Sequence, residues 1–345
     1  MEKKTNYCPE IIADTRNMSE TEWHEYRRKG IGGSEAAAVL GLSPFCTARD
    51  VYYEKIGVKP ATKDEQNWVA KQVGHRLESL VAEIFAVKTS LRVGKGNDMY
   101  CHPEYLFMLA NIDYFVDMAD GTRAILECKT SNVNSRDKWA DGAIPVNYEM
   151  QVRHYMAVMN IDTAFIACLF GNSDNDFVYC RIDRDYDYEQ DIIEQERYFW
   201  EEYVQKKTEP PYTESGDLAI ESLRKYYVGA NLYAPAVTLS ENLADTIERY
   251  LELRSQKLEF DHKSQDTDNE MKRLSAEIIN LMGETCTAVC KSGANEYSIA
   301  YKPSYREGIN KDSLTALKVF HPEIYSQYAS TTENRRFSVT RKEIA

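Results

Sequence analysis

The sequence lacks several features that define whole classes of protein. No run of eighteen apolar residues is present, so we expect no membrane-spanning helix. The segment Met1 to Asn6 is polar and no apolar stretch follows it, so we expect no secretory signal. The eight cysteines form no CxxC pair and lie singly in apolar surroundings, as at Cys168. This pattern predicts reduced thiols in a cytoplasmic protein rather than disulfides.

Positive charge is also scarce. The chain has 42 Lys and Arg against 55 Asp and Glu, which leaves a formal net charge of −13. Phosphate binding usually depends on clustered Lys and Arg, so this balance argues against a protein that coats nucleic acid non-specifically. It remains compatible with an enzyme that handles nucleic acid in a local basic groove beside an acidic site.

The length of the chain predicts two units. The chain has 345 residues, which exceeds the usual size of one domain, and 43% of them are hydrophobic.

Apolar residues at three- and four-residue steps from Glu65 to Lys88 indicate a long amphipathic helix. Further helices are predicted at Ser19–Lys29, Glu35–Leu40, Ala48–Lys55, Tyr148–Met159 and Tyr188–Val204.

Strand signals lie between these helices. Phe107–Met118 and Arg123–Thr130 are predicted as two strands joined by a turn at Asp120 and Gly121. Thr163–Phe170 and Phe177–Ile182 form a second predicted pair. The order of these elements predicts an α/β fold in which a small mixed β-sheet is flanked by helices.

The composition changes at Thr208-Glu-Pro-Pro211, which divides the chain into residues 1–207 and a C-terminal extension, residues 208–345. Within the extension we expect one or two long helices over Leu239–Leu281, with Asp261–Asn269 at a bend or on a solvated face. A hairpin over Thr285–Lys302 and a short helix over Lys311–Phe320 follow, and the basic end at Arg335–Lys342 reads as a strand.

The strongest chemical signal is a pair of carboxylates beside a lysine. Glu127 and Lys129 are two residues apart on a predicted strand, so their side chains share a face, and the hairpin brings Asp113 beside them. Carboxylate oxygens at this separation are ligands for Mg²⁺, and the carbonyl of Cys128 is a further candidate. The alternative is an exposed hairpin with a surface Glu–Lys pair. The apolar neighbours Ile125, Leu126 and Cys128 argue against that alternative.

Three residues on helices are candidates for the same site. Glu78 flanks the apolar stripe of the long helix, where it either faces the sheet or is an ordinary solvated glutamate. Gln151 and Tyr155 lie one helical turn apart and either face the site or form an ordinary polar pair.

The glycine-rich segment Gly30-Ile-Gly-Gly-Ser-Glu35 does not fit a dinucleotide fingerprint. Glu35 stands where the third glycine is needed, and a helix rather than a strand precedes it. Two roles remain open. Gly33 and Ser34 at a helix start, with Arg27 or Arg28 nearby, could bind a phosphate, or Ser34 could simply cap the helix.

Taken together, five segments resemble the YqaJ-like viral recombinase family, which belongs with the lambda-type exonucleases in the PD-(D/E)xK nuclease superfamily. They occur in the family's order over about residues 20 to 205. The segments are Trp23–Arg27 with Ile31–Pro44, Gly74–Glu78, Ala110–Asp113, Leu126–Thr130 and Tyr148–Tyr155.

The resemblance implies a restriction-endonuclease-like core and a Mg²⁺-dependent 5′-to-3′ exonuclease, with Mn²⁺ as a substitute metal. Its substrate would be the end of double-stranded DNA, its partner a single-strand annealing protein, and its assembly a trimer. The implied metal ligands are Asp113, Glu127 and Glu78, with Lys129 as the catalytic lysine and Gln151 beside the site. Arg27 and Ser34 would hold the 5′-phosphate, with Gly33, Asn111 and Tyr155 nearby. Two positions depart from the pattern: Asn111 replaces a small hydroxyl residue, and Tyr114 replaces a glycine.

Two rival functions remain. A nicking or structure-specific endonuclease with the same core would cut covalently closed DNA, and a non-catalytic DNA-binding or partner-docking recombination protein would not cut at all. An iron–sulfur version of the nuclease is excluded, because it needs four ordered cysteines and only Cys286 and Cys290 are close together.

Overall fold

The computed structural model describes residues 7–61, 68–227, 233–293, 295–305 and 308–329. The chain divides into two compact units, Met1–Asn231 and Leu232–Ala345. Within the described ranges, none of the helices combines the length and the apolar character needed to cross a bilayer.

The first unit contains two β-sheets and most of the helices. Its strands are β1 (Glu10–Asp14), β2 (Ile31–Gly32), β3 (Arg92–Lys95), β4 (Asp98–Cys101), β5 (Met108–Asn111), β6 (Tyr114–Asp117), β7 (Arg123–Thr130), β8 (Thr163–Leu169) and β9 (Phe177–Asp183). Its helices are α1 (Glu20–Arg27), α2 (Gly33–Val39), α3 (Ala48–Lys55), α4 (Trp68–Thr89), α5 (Val146–Met159), α6 (Tyr186–Tyr198), which a π-helical segment extends to Gln205, and α7 (Gly216–Tyr226).

The larger sheet has the strand order β3-β6-β7-β8-β9, and the smaller has the order β1-β4-β5-β2. Strands β7 and β8 run parallel, whereas the other neighbours in the larger sheet are antiparallel. In the smaller sheet only β2 and β5 are parallel. The predicted mixed sheet flanked by helices is therefore confirmed.

Helices cover both faces of the larger sheet because its central strand alternates between two cores. Ile125 on β7 packs in one buried cluster with Val152 and Met156 of α5. Its neighbour Leu126 packs in another with Phe85 of α4. Residues at odd positions of β7 therefore face α5, which places Glu127 and Lys129 on that side.

The predicted strand Phe107–Met118 is wrong in one respect: it is two strands in different sheets. Strand β5 ends at Asn111 and β6 begins at Tyr114. Between them, the backbone carbonyl of Asp113 accepts a hydrogen bond from Gly96 N at 2.9 Å, and its side chain accepts one from Cys128 N. Asp113 thus lies at the junction of the two sheets, where the chain leaves one ladder for the other.

The expected boundary after residue 207 differs from the observed packing. Helix α7 and the segment that precedes it belong to the first unit, because they form hydrogen bonds with α3 and with Thr47, the residue that caps α3. Ser222 bonds to Thr47 at 3.1 Å and donates to Asp50 at 3.0 Å. The carbonyl of Pro210 accepts hydrogen bonds from Arg49 at 2.7 and 2.9 Å.

Over its described residues, the second unit contains one very long helix, a hairpin and two short helices. These are α8 (Ala244–Met282), β10 (Thr287–Ser292), β11 (Asn295–Ala300), α9 (Lys311–Phe320) and α10 (Pro322–Tyr328). Helix α8 is continuous, so Asp261–Asn269 is a solvated face and not a bend. The predicted basic strand Arg335–Lys342 lies outside the described residues.

Candidate active site

Glu127, Lys129 and Gln151 form one hydrogen-bonded cluster between β7 and α5. The Lys129 ammonium donates to Glu127 Oε1 at 2.7 Å and to Gln151 Oε1 at 2.9 Å. The Gln151 amide in turn donates to Glu127 Oε1 at 2.6 Å. Only 2% of Glu127 is exposed. The surface-pair alternative for Glu127 and Lys129 is therefore wrong, because the carboxylate is buried and held by two donors.

Asp113 lies beside this cluster, as the hairpin predicts. The pairing of Tyr114 with Leu126 continues to place Asp113 next to Glu127, and Asp113 Oδ2 accepts a hydrogen bond from Cys128 N at 3.0 Å. Burial and the Glu127 carboxylate raise the pKa of Asp113 well above its ordinary value, and the Lys129 ammonium only partly offsets them. Two carboxylates are thus held together where charging both is unfavourable.

Lys129 remains charged at this site. Burial opposes its protonation, but the Glu127 and Asp113 carboxylates outweigh burial and raise the pKa of Lys129 above its ordinary value. Its ammonium also lies 5.1 Å from the centre of the Tyr148 ring, a contact that sequence reasoning did not identify.

The two carboxylates fit a divalent cation. Glu127 Oε2 is buried and has no hydrogen-bond partner, so one oxygen of the pair is available to a ligand. Mg²⁺ commonly takes one or two carboxylates and completes its shell with water. Within the described part of the chain, no group of three or more His, Cys, Asp or Glu side chains is arranged to hold a metal ion.

Glu78 approaches the same site from α4 but stands apart from this pair. Its Oε1 lies 3.6 Å from Lys95 Nζ, and its side chain is 24% exposed. Its negative charge is among the influences that raise the pKa of Asp113. This position agrees with the alternative in which Glu78 faces the sheet. The Cys128 thiol contributes no negative charge, because burial raises its pKa far above the ordinary value.

Arg27 and Ser34 form a second cluster at the glycine-rich segment. Arg27 donates to Ser34 Oγ at 3.0 Å and pairs with Glu35 at 2.8 Å. Its Nε is buried and has no hydrogen-bond partner. Ser34 is not the helix cap: α2 begins at Gly33, and Gly32 holds the cap position. The Ser34 hydroxyl is thereby left to Arg27.

Glu35 and Lys55 support Arg27, and sequence reasoning assigned them no role. Lys55 Nζ lies 2.7 Å from Glu35 Oε2, with its own side chain completely buried. Glu35 also accepts a hydrogen bond from Gly32 N at 2.8 Å. The available signal was the acidic residue three positions after Gly32, which is the spacing of a capping interaction. No local pattern in the sequence indicates a role for Lys55, because Lys55 lies on α3 and Glu35 on α2.

One cavity of about 190 Å³ joins the two clusters. Arg27, Gly33 and Ser34 line one part, and Asp113, Gln151 and Asn111 another. Tyr155 closes the wall between them, since its hydroxyl accepts from Gln151 at 3.2 Å. The structure therefore brings together the residues that the sequence identified in separate motifs.

Comparison with known proteins agrees with this arrangement of motifs. The YqaJ-like viral recombinase domain matches residues 22–165. YqaJ of Bacillus subtilis (strain 168), described as uncharacterized, is 30% identical over 338 residues, which cover 97% of this chain and 98% of that protein. The chain belongs to the YqaJ-like viral recombinase family, as the sequence motifs predict.

Solved structures show partial likeness to the chain. LHK-Exo in complex with dAMP aligns with a TM-score of 0.45 at 18% identity, over 54% of this chain and 93% of that one. The alkaline exonuclease LHK-Exo from Laribacter hongkongensis aligns at 0.44 and 19%, over 54% and 97%. A phage related exonuclease from Haemophilus somnus 129PT aligns at 0.38 and 14%, over 54% and 100%.

Proposed function

We propose that this protein is a metal-dependent nuclease that degrades the 5′-ended strand of linear double-stranded DNA. The observation that carries the proposal is one cavity lined by Arg27 and Ser34 in one part and by Asp113 and Gln151 in another, with Gln151 bonded to both Glu127 and Lys129. Family membership supports it, because viral recombination consumes DNA with single-stranded 3′ ends. A single-strand annealing protein would take up that product, and a trimer would enclose the duplex.

Asp113 and Glu127 would hold Mg²⁺, or Mn²⁺ in its place, and Glu78 would assist. When bound, the cation supplies a Lewis acid for the phosphoryl oxygens and lowers the pKa of a water. Lys129 keeps its positive charge and stabilises the charge that develops on phosphorus. Gln151 orients both Glu127 and Lys129, because it bonds to each of them.

Arg27 and Ser34 would bind the terminal 5′-phosphate. The unpartnered Arg27 Nε and the Ser34 hydroxyl both belong to residues that line the cavity, and a guanidinium binds phosphate through parallel hydrogen bonds. Glu35 holds the guanidinium in place, Lys55 holds Glu35, and Arg27 Nε is left without a hydrogen-bond partner in the protein. An endonuclease would have no use for such a pocket, so end recognition separates the two candidate activities.

The test is digestion of linear duplex DNA with 5′-phosphate ends, with and without Mg²⁺, beside a covalently closed duplex. We expect loss of the linear substrate only with the metal, and no cutting of the closed circle. Glu127→Gln should abolish digestion, because it replaces a carboxylate of the proposed metal site with a neutral amide. The matched control is Asp117→Asn on β6, whose side chain is 55% exposed in its contact with Arg92. Cutting of the closed circle would favour the endonuclease.

A further inference from the structure

Helix α8 carries an apolar stripe that the rest of the second unit, over its described residues, leaves uncovered. Leu253, Phe260, Met271, Leu274, Ile278 and Leu281 lie on it, and each is between 42% and 87% exposed. The structure describes every residue of α8, and Met282 is the one buried residue of this helix. A helix of this length draws most of its stability in water from packing of an apolar face, so such a face needs a partner.

The stripe has the spacing of a coiled coil. From Leu253 to Leu281 the steps between its positions alternate strictly between four and three residues, once Lys257, Ser264 and Thr267 are included. This is the a/d repeat of a heptad, sustained over four heptads. At about 1.5 Å per residue the seam is roughly 42 Å long. We call these nine positions the α8 seam.

We propose that the α8 seam pairs with the α8 seam of a second copy of this chain, in antiparallel orientation. Reversing the helix about the point between Gln265 and Asp266 superimposes the eight seam positions from Leu253 to Ile278 on themselves, and Leu281 falls opposite Tyr250 of the second copy. The polar centre, Ser264 and Thr267, then meets the polar centre of the second copy. Each apolar half meets the opposite half: Leu253 faces Ile278 of the second copy, and Phe260 faces its Met271.

Lys257, a charged residue inside the seam, favours the antiparallel orientation over the parallel one. A parallel pair in register places Lys257 beside Lys257 of the second copy inside the seam, where two like charges repel. The antiparallel pair places Lys257 opposite Leu274, so that its aliphatic stem packs and its ammonium reaches solvent. Beside the polar centre, Asp261 lies near Asp268 of the second copy on one flank of the seam, and Lys263 lies near Glu270 of the second copy on the other, each twice by symmetry. Lys263 and Glu270 are mainly exposed in the single chain, at 67% and 61%.

This proposal rests on the second unit alone and is independent of the proposed nuclease activity. It is tested on the full chain by light scattering at low micromolar concentration. Ile278→Asp should halve the molecular mass of the assembly, because it places a charge in the seam. The matched control is Ala276→Asp, which adds the same residue to the opposite side of the same helix and should leave the mass unchanged. An Ile278→Asp mass equal to that of wild type would overturn the proposal and assign the seam to a different occupant.

Charge exchange tests the orientation without entering the seam. Lys263→Glu and Glu270→Lys should each weaken self-association about three- to thirtyfold, and the double variant should restore it. In a parallel pair Glu270 would lie near Ser275, so Glu270→Lys would have no effect and the double variant would not recover. Circular dichroism of each variant confirms that α8 is still helical. Failure of the double variant to recover would overturn the antiparallel pairing.

Discussion

At the scale of residues, alternation along one strand decides where the charges go. Ile125, Glu127 and Lys129 share the face of β7 that meets α5, whereas Leu126 and Cys128 belong to the core under α4. The buried carboxylate of Glu127 accepts hydrogen bonds from both Lys129 and Gln151. Asp113 accepts one backbone hydrogen bond, from Cys128 N. Burial and the neighbouring Glu127 carboxylate disfavour its charged form and raise its pKa.

Asp113→Asn should stabilise the metal-free protein at neutral and alkaline pH. The pKa of Asp113 is raised in the folded state, so the stability it contributes is full below its unfolded pKa and is lost as pH rises through the folded pKa. We expect the variant to melt roughly 2–4 °C higher for each kcal/mol relieved. Added Mg²⁺ should raise the melting temperature of wild type but not of Asp113→Asn. A variant that melts lower across the whole pH range would contradict the assignment.

Arg27→Ala should remove the preference for a 5′-phosphate end. A charge-assisted contact to phosphate contributes about 1.5–3 kcal/mol, so wild type should digest 5′-phosphate ends on the order of ten to a hundred times faster than 5′-hydroxyl ends. The ratio of the two rates is the measurement, because it cancels any loss of folded protein. Arg28→Ala is the matched control, since Arg28 is exposed and adjacent. Equal rates on both ends for wild type would exclude the phosphate pocket.

At the scale of elements, close approach of α2 to α5 forms the wall of the cavity. A Cβ on Gly33 would lie 2.4 Å from Tyr155 Cε1, so only glycine allows this contact. Helix α5 is also tied to β5 and α6 by His154, whose ring nitrogens lie 2.9 Å from the Leu109 carbonyl and 2.8 Å from Glu196. Both interactions hold Gln151 and Tyr155 against the cavity.

The same substitution at two glycines should therefore have opposite effects. Gly33→Ala should destabilise the protein by about 1–3 kcal/mol and displace Tyr155, because the added methyl overlaps the ring. Gly74→Ala should stabilise it by up to about 1 kcal/mol, because alanine favours the interior of α4. There the nearest atom is Thr130 Oγ1 at an ordinary 3.5 Å. Chemical unfolding measures both, and a stable Gly33→Ala protein would show that α2 can move away from α5.

At the scale of the whole molecule, packing rather than composition sets the division of the chain. The proline-rich change near residue 208 lies within the first unit, since the Pro210 carbonyl and the α7 residue Ser222 bind α3 and its cap. Leu218 of α7 is buried as well. Helix α7 is therefore part of the unit that holds the site.

A chain that ends after residue 231 should fold, whereas one that ends after residue 207 should be less stable by about 3–5 kcal/mol. The shorter chain loses the burial of Leu218 and the hydrogen bonds of Ser222 to Thr47 and Asp50. Thermal melting of the two truncated chains provides the comparison. Identical melting temperatures would restore the division at residue 207.

Much of the secondary structure was predictable, because it depends on local periodicity. The predicted strand Arg123–Thr130 and the predicted helices Ala48–Lys55 and Lys311–Phe320 match the observed bounds. The short strands β1, β3 and β4 and the helix α7 were not predicted. Strands of four or five residues carry too few alternations to stand out, and they form only when a partner strand satisfies their hydrogen bonds.

The sequence by itself determined that Glu127 and Lys129 share a face, that the hairpin places Asp113 beside them, and that the chain has the motifs of its family. Alternation on a strand and a short turn suffice for this, because both act over neighbouring residues. Only the tertiary structure decided that the Ser34 hydroxyl accepts a hydrogen bond from Arg27 instead of capping α2, and that Lys55 forms an ion pair with Glu35. It also decided that one cavity joins Arg27 to Asp113. These contacts connect residues that are distant in the sequence or lie on different elements, and their geometry depends on how helices and sheets pack.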